Sequence, residues 1–245
     1  MKELRYFYDP NSEQGSLPAE EANHVLRVLR LKEGDTINVI DGQGNLHTCT
    51  ITGTGKHECL FRINNTTHFE QQWSRSVNIA MAPTKNIDRT EWFAEKATEI
   101  GVDRIDFIDC RFSERRSIKT ERIEKIAVSA MKQSHKVYKP TVEPMQSFKD
   151  LVTTPFQGIR CIAHCYDDKD LLLPDGSKPF LPNVLSSSCG SMQVLVGPEG
   201  DFSREEVLLA LSHGFLPVSL GKSRLRTETA ALVAVHLMQL ASQQN

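Results

Sequence analysis

The sequence predicts an α/β protein in two parts: a small β domain over residues 1–72, and an α/β domain with a parallel sheet over residues 73–245. Short segments of alternating apolar and polar residues dominate the first 70 positions, which is typical of half-buried strands. Beyond residue 76, apolar strand segments alternate with longer helical periods, which favours a parallel sheet with helices on both faces. The polar stretch 64–76 between the two patterns is the predicted linker.

The first part of the chain is predicted to form one helix followed by three short strands. The helix spans about Glu20–Leu29. Thr36–Ile40 and His47–Thr52 both alternate, and the turn residues Asp41-Gly42-Gln43-Gly44 between them predict a β-hairpin. Leu60–Ile63 is the third strand. Strands this short and this closely spaced are typical of a small barrel.

The second part is predicted to alternate strands with helices. Apolar segments predict strands at Val77–Met81, Ile105–Ile108, Ile159–Ala163, Val194–Val196 and Val218–Leu220. Helical periodicity predicts helices at Thr90–Ile100, Thr120–His135 and Thr227–Ser242, and at a segment opened by the capping-box pair Ser203 and Glu206 and ended by Gly214.

Charge and composition exclude several classes of protein. The chain carries 29 basic and 31 acidic residues, a net charge of −2, which excludes a protein that is basic throughout. The charge is uneven, because residues 111–139 hold nine Lys or Arg and three Glu, a net charge of +6. No apolar run reaches the roughly 18–20 residues of a membrane span, and the first residues lack the apolar core of a secretion signal. We therefore expect a cytoplasmic protein without membrane contact, whose six cysteines are reduced.

Several familiar cofactor and metal motifs are missing. The sequence lacks the phosphate loop, the dinucleotide-binding glycine fingerprint and the nucleophile elbow. Cys161, His164 and Cys165 are potential zinc ligands, but on a strand the two cysteines face one side and His164 the other. No second Cys/His pair has ligand spacing, so we expect no metal.

A glycine-containing loop follows the predicted strand Val194–Val196. Gly197-Pro198-Glu199-Gly200 leads from that strand into the capped helix, and its glycines would let the backbone approach a ligand closely. Loops at the carboxyl ends of parallel strands are where α/β sheets bind ligands. An ordinary strand-to-helix turn would have a similar composition, and these residues alone leave both interpretations open.

A second loop of this kind runs from Leu220 to Ala231. Thr227 is a natural N-cap for the last helix, and Glu228 suits the positive end of its dipole. Arg226 fits less well there, because a cation opposes the dipole at a helix N-terminus. Arg226 is therefore either a functional residue or one of a surface pair with Arg224.

Basic residues that could contact a phosphate-rich partner lie in both parts of the chain. Arg111, Arg115 and Arg116 follow a predicted strand, and this local density of positive charge favours such a partner over a solvated helix face. Arg27 and Arg30 are three positions apart and are predicted to share one helix face. They either flank core residues or grip a nucleic-acid backbone.

Together, these motifs resemble a known family. Gly197-Pro198-Glu199-Gly200 with Leu225-Arg226-Thr227-Glu228-Thr229-Ala230 is similar to the signature of the SPOUT-class RNA methyltransferases, and more narrowly of the RsmE family. His24–Asp35, Glu95–Val102 and Ala130–Pro140 resemble further segments of that family, in the same order. The resemblance therefore spans nearly the whole chain.

The resemblance implies a fold, a reaction and partners. RsmE-type enzymes use S-adenosylmethionine to methylate N3 of a uridine in 16S ribosomal RNA, either free or within the small ribosomal subunit. The implied fold is a PUA-like β-barrel domain followed by a SPOUT-type parallel sheet whose C-terminal end forms a trefoil knot. The implied assembly is a homodimer with the active site at the subunit interface, without metal or membrane.

The resemblance also suggests roles for individual residues. Arg226 would stabilise negative charge on a uracil oxygen, and Glu199 or Glu228 would accept the N3 proton or orient the cofactor. The predicted cofactor-binding residues are His164, Val196, Gly197, Pro198, Glu199, Gly200, Leu220, Gly221, Leu225, Thr227, Thr229 and Ala230. The predicted RNA contacts are Arg27, Arg30, Lys85, Arg111, Arg115, Arg116 and Lys136.

The sequence departs from the family pattern at two positions, and three other functions are also considered. Lys132-Gln133-Ser134 stands where the family has Glu-Gln-Ser, and Gly200-Asp201 stands where it has two glycines. The rivals are a SPOUT methyltransferase of another RNA specificity, a non-catalytic RNA-binding assembly factor, and a small-molecule α/β enzyme. The last would have no use for the basic stretch.

Overall fold

The chain divides into two compact units. The computed structural model describes residues 5–71, 73, 75–185 and 190–243. One unit comprises Met1–Gln72 with Val128–Lys139, and the other comprises Trp73–Ala127 with Pro140–Asn245. The predicted division at residue 72 places residues 128–139 in the second part of the chain, whereas here they group with the first unit.

The first unit is built on a four-stranded sheet in the order β1-β2-β3-β4. Its strands are β1 (Tyr6–Tyr8), β2 (Thr36–Ile40), β3 (Asn45–Thr54) and β4 (Cys59–His68). β1 pairs parallel to β2, and the other pairs are antiparallel. Helix α1 (Ala19–Asn23) continues as a π-helical turn, His24–Val28, and buries Ala22 and Val25 in the same core as Val39 and Phe61.

Two expectations for this unit need correction. The predicted linker began at Asn64, but β4 continues to His68 because β3 is long enough to pair with it as far as Asn45. Strand β1 was not predicted, because three residues are too few for an alternating pattern to be recognised. Within the described residues, the first unit forms this sheet and two isolated bridges, one between Ser16 and Leu60 and one between Gln43 and Tyr138.

Segment 128–139 is joined to the turn between β2 and β3. The amide of Gly44 donates to the carbonyl of Val137 at 3.1 Å, and the amide of Lys139 donates to that of Gly42 at 2.9 Å. The ammonium of Lys132 pairs with the buried carboxylate of Glu21 in α1. The cation that stands in place of the family's Glu therefore neutralises a buried charge within the first unit.

The second unit is a parallel sheet in the order β11-β9-β10-β5-β6-β7, with β8 paired to β6. Its strands are β5 (Val77–Met81), β6 (Arg104–Asp109), β7 (Thr141–Val142), β8 (Gln146–Ser147), β9 (Gly158–Ala163), β10 (Ser191–Val196) and β11 (Leu216–Val218). The parallel pairing confirms the predicted α/β class.

Helices cover both faces of this sheet. They are α2 (Ile87–Ile100), α3 (Thr120–Gln133), α4 (Phe148–Thr153), α5 (Leu181–Leu185), α6 (Arg204–Ser212) and α7 (Thr227–Ser242). On one face, Met81 of β5 shares a buried cluster with Phe93 of α2 and Val235 of α7. On the other, Leu195 of β10 shares a second cluster with Val207 of α6. Burial on both faces explains why the strands read as continuous apolar segments.

Several element boundaries differ from the prediction. β11 ends at Val218, not Leu220, because the Ser219 backbone leaves the sheet edge to hydrogen-bond with Pro179 and Leu181. α2 begins three residues early because the side chain of Asn86 caps it. α4 and α5 were not predicted, since five or six residues are too few for a helical period. The capping box of α6 is confirmed.

Candidate active site

Three loops meet at the carboxyl edge of the parallel sheet. β9, β10 and β11 are adjacent in the sheet, so the segments that follow them share one edge. Two adjoining cavities of about 430 and 450 Å³ lie there. Both are lined by Ala163, Cys165, Val196, Arg224, Leu225 and Ala230.

The first cavity has an apolar floor and one unusual polar group. His164 lines this cavity and is buried, and neither ring nitrogen makes a hydrogen bond within the described part of the chain. Burial lowers the pKa of His164, and the positive charge of Lys178 lowers it further. Lys178 itself donates to the backbone carbonyls of His164 at 3.2 Å and Tyr166 at 2.7 Å. A buried, neutral ring with two unused nitrogens favours a ligand with polar groups.

The second cavity lies against the glycine-containing loop after β10. Gly197, Pro198, Glu199, Gly200 and Asp201 line it together with Arg226 and Thr227 from the start of α7, and Arg89 from α2. The predicted cation, Arg226, and one predicted carboxylate, Glu199, therefore line the same cavity.

Hydrogen bonds fix the loop after β10. Asp201 has a φ of 65°, in the left-handed region. Its Oδ1 accepts from the Phe202 amide and its Oδ2 from the Cys165 amide, each at 2.8 Å. The Tyr166 hydroxyl donates to the Phe202 carbonyl at 2.8 Å. A β-carbon at Gly197 would lie 3.0 Å from the Phe202 amide nitrogen, so this close turn favours glycine. Asp201, where the family has glycine, ties this loop to the segment after β9.

The loop after β11 has fewer such ties. The hydroxyl of Ser219 bonds to the amide and the carbonyl of Gly221, which has a φ of 129°. The side chains of Lys222, Arg224 and Arg226 are exposed, and none of them makes a hydrogen bond to the described residues. Three cations are therefore presented to solvent beside the two cavities.

Arg226 stands at the start of α7, where the prediction had placed Thr227. Arg226 is the N-cap residue and supplies no side-chain cap, while Thr227 is the first helical residue and is buried. The expected N-cap role of Thr227 is therefore wrong. A cation at this end opposes the helix dipole, so the position of Arg226 favours a functional role over a stabilising one.

The two predicted catalytic carboxylates have different surroundings. Glu199 is exposed and lines the second cavity, and its Oε1 accepts from the Lys85 amide at 2.9 Å. Glu228 is buried and lines neither cavity. Its Oε1 lies 3.9 Å from Nε of Arg89, and its Oε2 makes no hydrogen bond within the described residues.

The structure brings most of the predicted cofactor-binding residues together. His164, Leu220 and Gly221 line the first cavity. Val196, Leu225 and Ala230 line both, and Gly197, Pro198, Glu199, Gly200 and Thr227 line the second. Thr229 lines neither. Arg89, Cys165 and Lys178 also line the cavities and were not predicted. Lys178 follows a stretch without strand or helix periodicity, so no sequence signal pointed to it.

The predicted RNA-contacting residues of the second unit differ in how they are held. Arg115 donates to the carbonyls of Thr84 at 3.1 Å and Lys85 at 2.8 Å. Arg116 pairs with Asp109 at 2.7 Å. The ammonium of Lys85 pairs with a neighbouring carboxylate, Glu114, which raises the pKa of Lys85. The charge of Arg115 is thus the only one of the three that no carboxylate offsets within the described residues.

The basic residues of the first unit are not arranged as predicted. Arg27 lies in the π-helical turn, whereas Arg30 has a φ of 57° and lies beyond the helix end, so the two do not share a helix face. Both are exposed. Lys136 is half-buried, and burial lowers its pKa.

Within the part of the chain that the structure describes, no three His, Cys, Asp or Glu side chains group to hold a metal. Cys161 is buried, which raises the pKa of its thiol to about 12. In the same described residues, no helix has the length and apolar content needed to cross a membrane.

Two family descriptions match the chain. An RNA methyltransferase domain matches residues 71–239, and an RNA methyltransferase PUA domain matches residues 17–64. The ribosomal RNA small subunit methyltransferase E of Bacillus subtilis is 28% identical over 249 residues, which cover 94% of each chain.

Solved structures of similar proteins extend this relationship. A probable rRNA-methyltransferase from Porphyromonas gingivalis has a TM-score of 0.86 and 40% identity, covering 98% of both chains. A ribosomal RNA small subunit methyltransferase E from Neisseria gonorrhoeae, bound to S-adenosyl methionine, has a TM-score of 0.80 and 27% identity, covering 97% of this chain and 98% of that one. These matches confirm the predicted resemblance: the chain belongs to the RsmE family of RNA methyltransferases.

Proposed function

We propose that this chain transfers a methyl group from S-adenosylmethionine to N3 of a uridine in 16S ribosomal RNA. The main support for this proposal is the pair of adjoining cavities at the carboxyl ends of β9, β10 and β11. One cavity would hold the cofactor and the other the target base. Their shared wall, which includes Val196 and Leu225, lies where the two reactants would meet.

The residues of the first cavity fit S-adenosylmethionine. Its apolar wall, formed by Ala163, Val196 and Leu220, suits the adenine ring. The unpartnered ring nitrogens of His164 and the backbone beside Gly221 offer hydrogen-bonding groups to the ribose or base. When bound, the cofactor supplies an electrophilic methyl group carried on a sulfonium.

Arg226 is the proposed catalytic cation. N3 of uridine carries a proton in the neutral base, so the enzyme must favour the anion, whose charge spreads onto the uracil oxygens. Arg226 lines the second cavity at a helix N-terminus, where backbone amides add positive potential. Its guanidinium has no competing hydrogen bond within the described residues, so it is available to a uracil oxygen.

Glu199 is the proposed acceptor of the N3 proton. It shares the second cavity with Arg226, and only its Oε1 is used, by the Lys85 amide. Glu228 is the less suitable candidate, because it is buried outside both cavities beside Arg89. We propose that Glu228 positions the guanidinium of Arg89, which does line the second cavity.

The RNA would contact both units through their basic residues. In the second unit, Arg115 donates to backbone carbonyls only, and Arg111 is exposed, although hydrogen bonds and, to a lesser extent, the nearby charge of Arg111 lower the pKa of the Glu205 carboxyl group. Arg27 and Arg30 are exposed in the unit that matches the PUA family. Lys85, Arg116 and Lys136 are weaker candidates, because Lys85 and Arg116 are ion-paired and Lys136 is half-buried.

Three further features are proposed from the family relationship. The first unit would close as a PUA-like barrel. The C-terminal chain would form a trefoil knot, which is supported by the return of α7 across β9 and β10 to pack on α2 and β5. The enzyme would work as a homodimer, which is supported by the exposed Trp92 on α2 and Leu240 on α7. Its substrate would place it with ribosomes in the cytoplasm.

Transfer of tritiated methyl groups from S-adenosylmethionine tests the proposed function. The full chain is incubated with unmodified 16S rRNA and, separately, with small ribosomal subunits assembled from it. Methylation at N3 blocks base pairing and stops primer extension, whereas 2′-O-ribose methylation leaves the pairing edge intact. Label without a uridine stop would indicate another SPOUT specificity. No label on either substrate, together with no heat of cofactor binding in calorimetry, would favour the non-catalytic assembly factor.

A further inference from the structure

An aromatic side chain stands exposed beside the second cavity and is not used by the proposed mechanism. Phe112, in the turn after β6, is 49% exposed. Gly200, which lines the second cavity, lies directly against it, since a β-carbon at Gly200 would lie 3.2 Å from Cβ of Phe112. Phe112 therefore stands at the rim of the cavity that holds Glu199 and Arg226.

The backbone around Phe112 is firmly held although its ring is not. The Ser113 hydroxyl accepts from the Cys110 amide at 3.0 Å, and the Ser113 amide donates to the Cys110 carbonyl at the same distance. The Arg111 amide donates to Oε1 of Glu206 at 2.8 Å. The Arg111 carbonyl accepts from Arg116 at 3.3 Å. These bonds on both sides fix the turn, so the ring is presented to solvent at a defined position.

The charge around this ring suits a polyanion. The guanidinium of Arg111, next in the chain, makes no hydrogen bond within the described residues and is exposed. Arg115 keeps its charge because its partners are backbone carbonyls. An exposed aromatic ring on a segment that also carries cations is typical of surfaces that bind single-stranded nucleic acid, where the ring stacks on a base and the cations hold the phosphates.

We infer that Phe112 stacks against an unpaired base next to the target uridine and so holds the flanking RNA at the mouth of the second cavity. The inference rests on the proposed function and adds to it a positioning contact with single-stranded RNA. Because the backbone of this turn is already fixed, only the side-chain rotation of Phe112 is lost when a base stacks on its ring. The same contact would help keep the target uridine out of its own stack.

Four substitutions at two sites test this inference. Phe112→Ala should raise KM for the RNA about tenfold, since stacking on an aromatic ring contributes about 1–3 kcal/mol per base. Phe112→Tyr should restore most of the affinity, and Phe112→Leu, which keeps the apolar bulk without the aromatic face, should not. Leu208→Ala is the matched control, because Leu208 is an exposed apolar side chain of the same unit on α6. Affinity for S-adenosylmethionine should stay within twofold in all four variants.

Binding of a fluorescent 16S rRNA fragment is measured alongside methylation, so that the two proposals can fail separately. A wild-type chain that binds RNA but transfers no methyl group would contradict the proposed function while leaving the Phe112 comparison readable. Equal RNA affinity of Phe112→Ala and wild type would overturn the inference. If Phe112→Leu were fully active, the inference that the aromatic ring stacks on a base would be overturned. A change in molar mass by light scattering in Phe112→Ala would assign the ring to a contact between protein chains and would also overturn it.

Discussion

The loop after β10 lines the second cavity, the loop after β11 lines both cavities, and the two loops are held in different ways. The first is tied by Asp201 and Tyr166, turns on Gly197, and ends in the capping box of α6. The second has the local bonds of Ser219 to Gly221 and enters α7 without a side-chain cap. One loop has a shape set before any ligand arrives, and the other presents unpaired cations.

This difference suggests a division of labour. A small ligand that must be held in one conformation binds more tightly to a cavity wall that is already ordered, because less conformational entropy is then lost on binding. A charged side chain that must meet a large polyanion benefits from having no competing partner. Through the bond of Asp201 to Cys165, which lines both cavities, the fixed loop should therefore contribute to cofactor affinity, whereas Glu199 and Arg226 at the second cavity should determine turnover.

Arg226→Ala should have the largest effect, and it tests the open loop. We expect kcat to fall about 10²–10³-fold, because an oriented donor to a developing negative charge contributes about that much. Affinity for S-adenosylmethionine should change less than threefold by calorimetry. Lys149→Ala, which removes an exposed cation of α4 that lines neither cavity, is the control and should retain most activity. If Arg226→Ala kept a kcat near that of wild type, the catalytic role proposed for Arg226 would be contradicted.

Glu199→Gln should come next, and it isolates a chemical role within the fixed loop. Gln keeps an oxygen to accept from the Lys85 amide but cannot accept the N3 proton. Loss of a general base costs about 10²–10⁴-fold, so we expect at least about a hundredfold lower kcat, with cofactor affinity unchanged. If Glu228→Gln lowered kcat more than Glu199→Gln, Glu228 and not Glu199 would be the proton acceptor.

Asp201→Ala should have a smaller effect, on binding. It removes the hydrogen bonds to the Cys165 and Phe202 amides and leaves a residue with a β-carbon at a φ of 65°. We expect about tenfold weaker binding of S-adenosylmethionine with kcat at saturation within threefold. Asp201→Asn keeps one oxygen acceptor and tolerates this backbone conformation, so it should lose less. If Asp201→Ala bound S-adenosylmethionine as tightly as wild type, the hydrogen bonds of Asp201 would not contribute to the shape of the cofactor cavity.

The smallest effect should be the pH dependence contributed by His164, in the third loop. Burial lowers its folded pKa below the usual value of 6.5, so between the two values the unfolded chain binds more protons than the folded chain. The stabilising contribution is complete above pH 6.5 and declines below it, by at most about 1.4 kcal/mol per pH unit. Urea unfolding between pH 5 and 8 should show a shallower decline in His164→Asn than in wild type. If the free energy of unfolding declined equally with falling pH in both proteins, the role given to His164 would be contradicted.

The sequence predicted those features that repeat over many residues. β2 and β5 have the predicted bounds, and α7 follows from its helical period. It could not place Arg89 or Lys178 in the cavities, because those contacts depend on which strands are neighbours. The family resemblance identified the loops but not their differing rigidity, since the Asp201 bonds are visible only in three dimensions.

The pairing of Lys132 with Glu21 has a consequence for how the chain is made. The first unit draws its last piece from residues 128–139, far beyond its last strand. A nascent chain that has emerged only to residue 72 would lack the ion pair between Lys132 and Glu21, and it would lack the backbone hydrogen bonds that join Gly42 and Gly44 to segment 128–139. The first unit therefore completes its folding only after more than half of the protein has been synthesised, and a fragment cut at residue 72 would be less stable than the same residues in the whole chain.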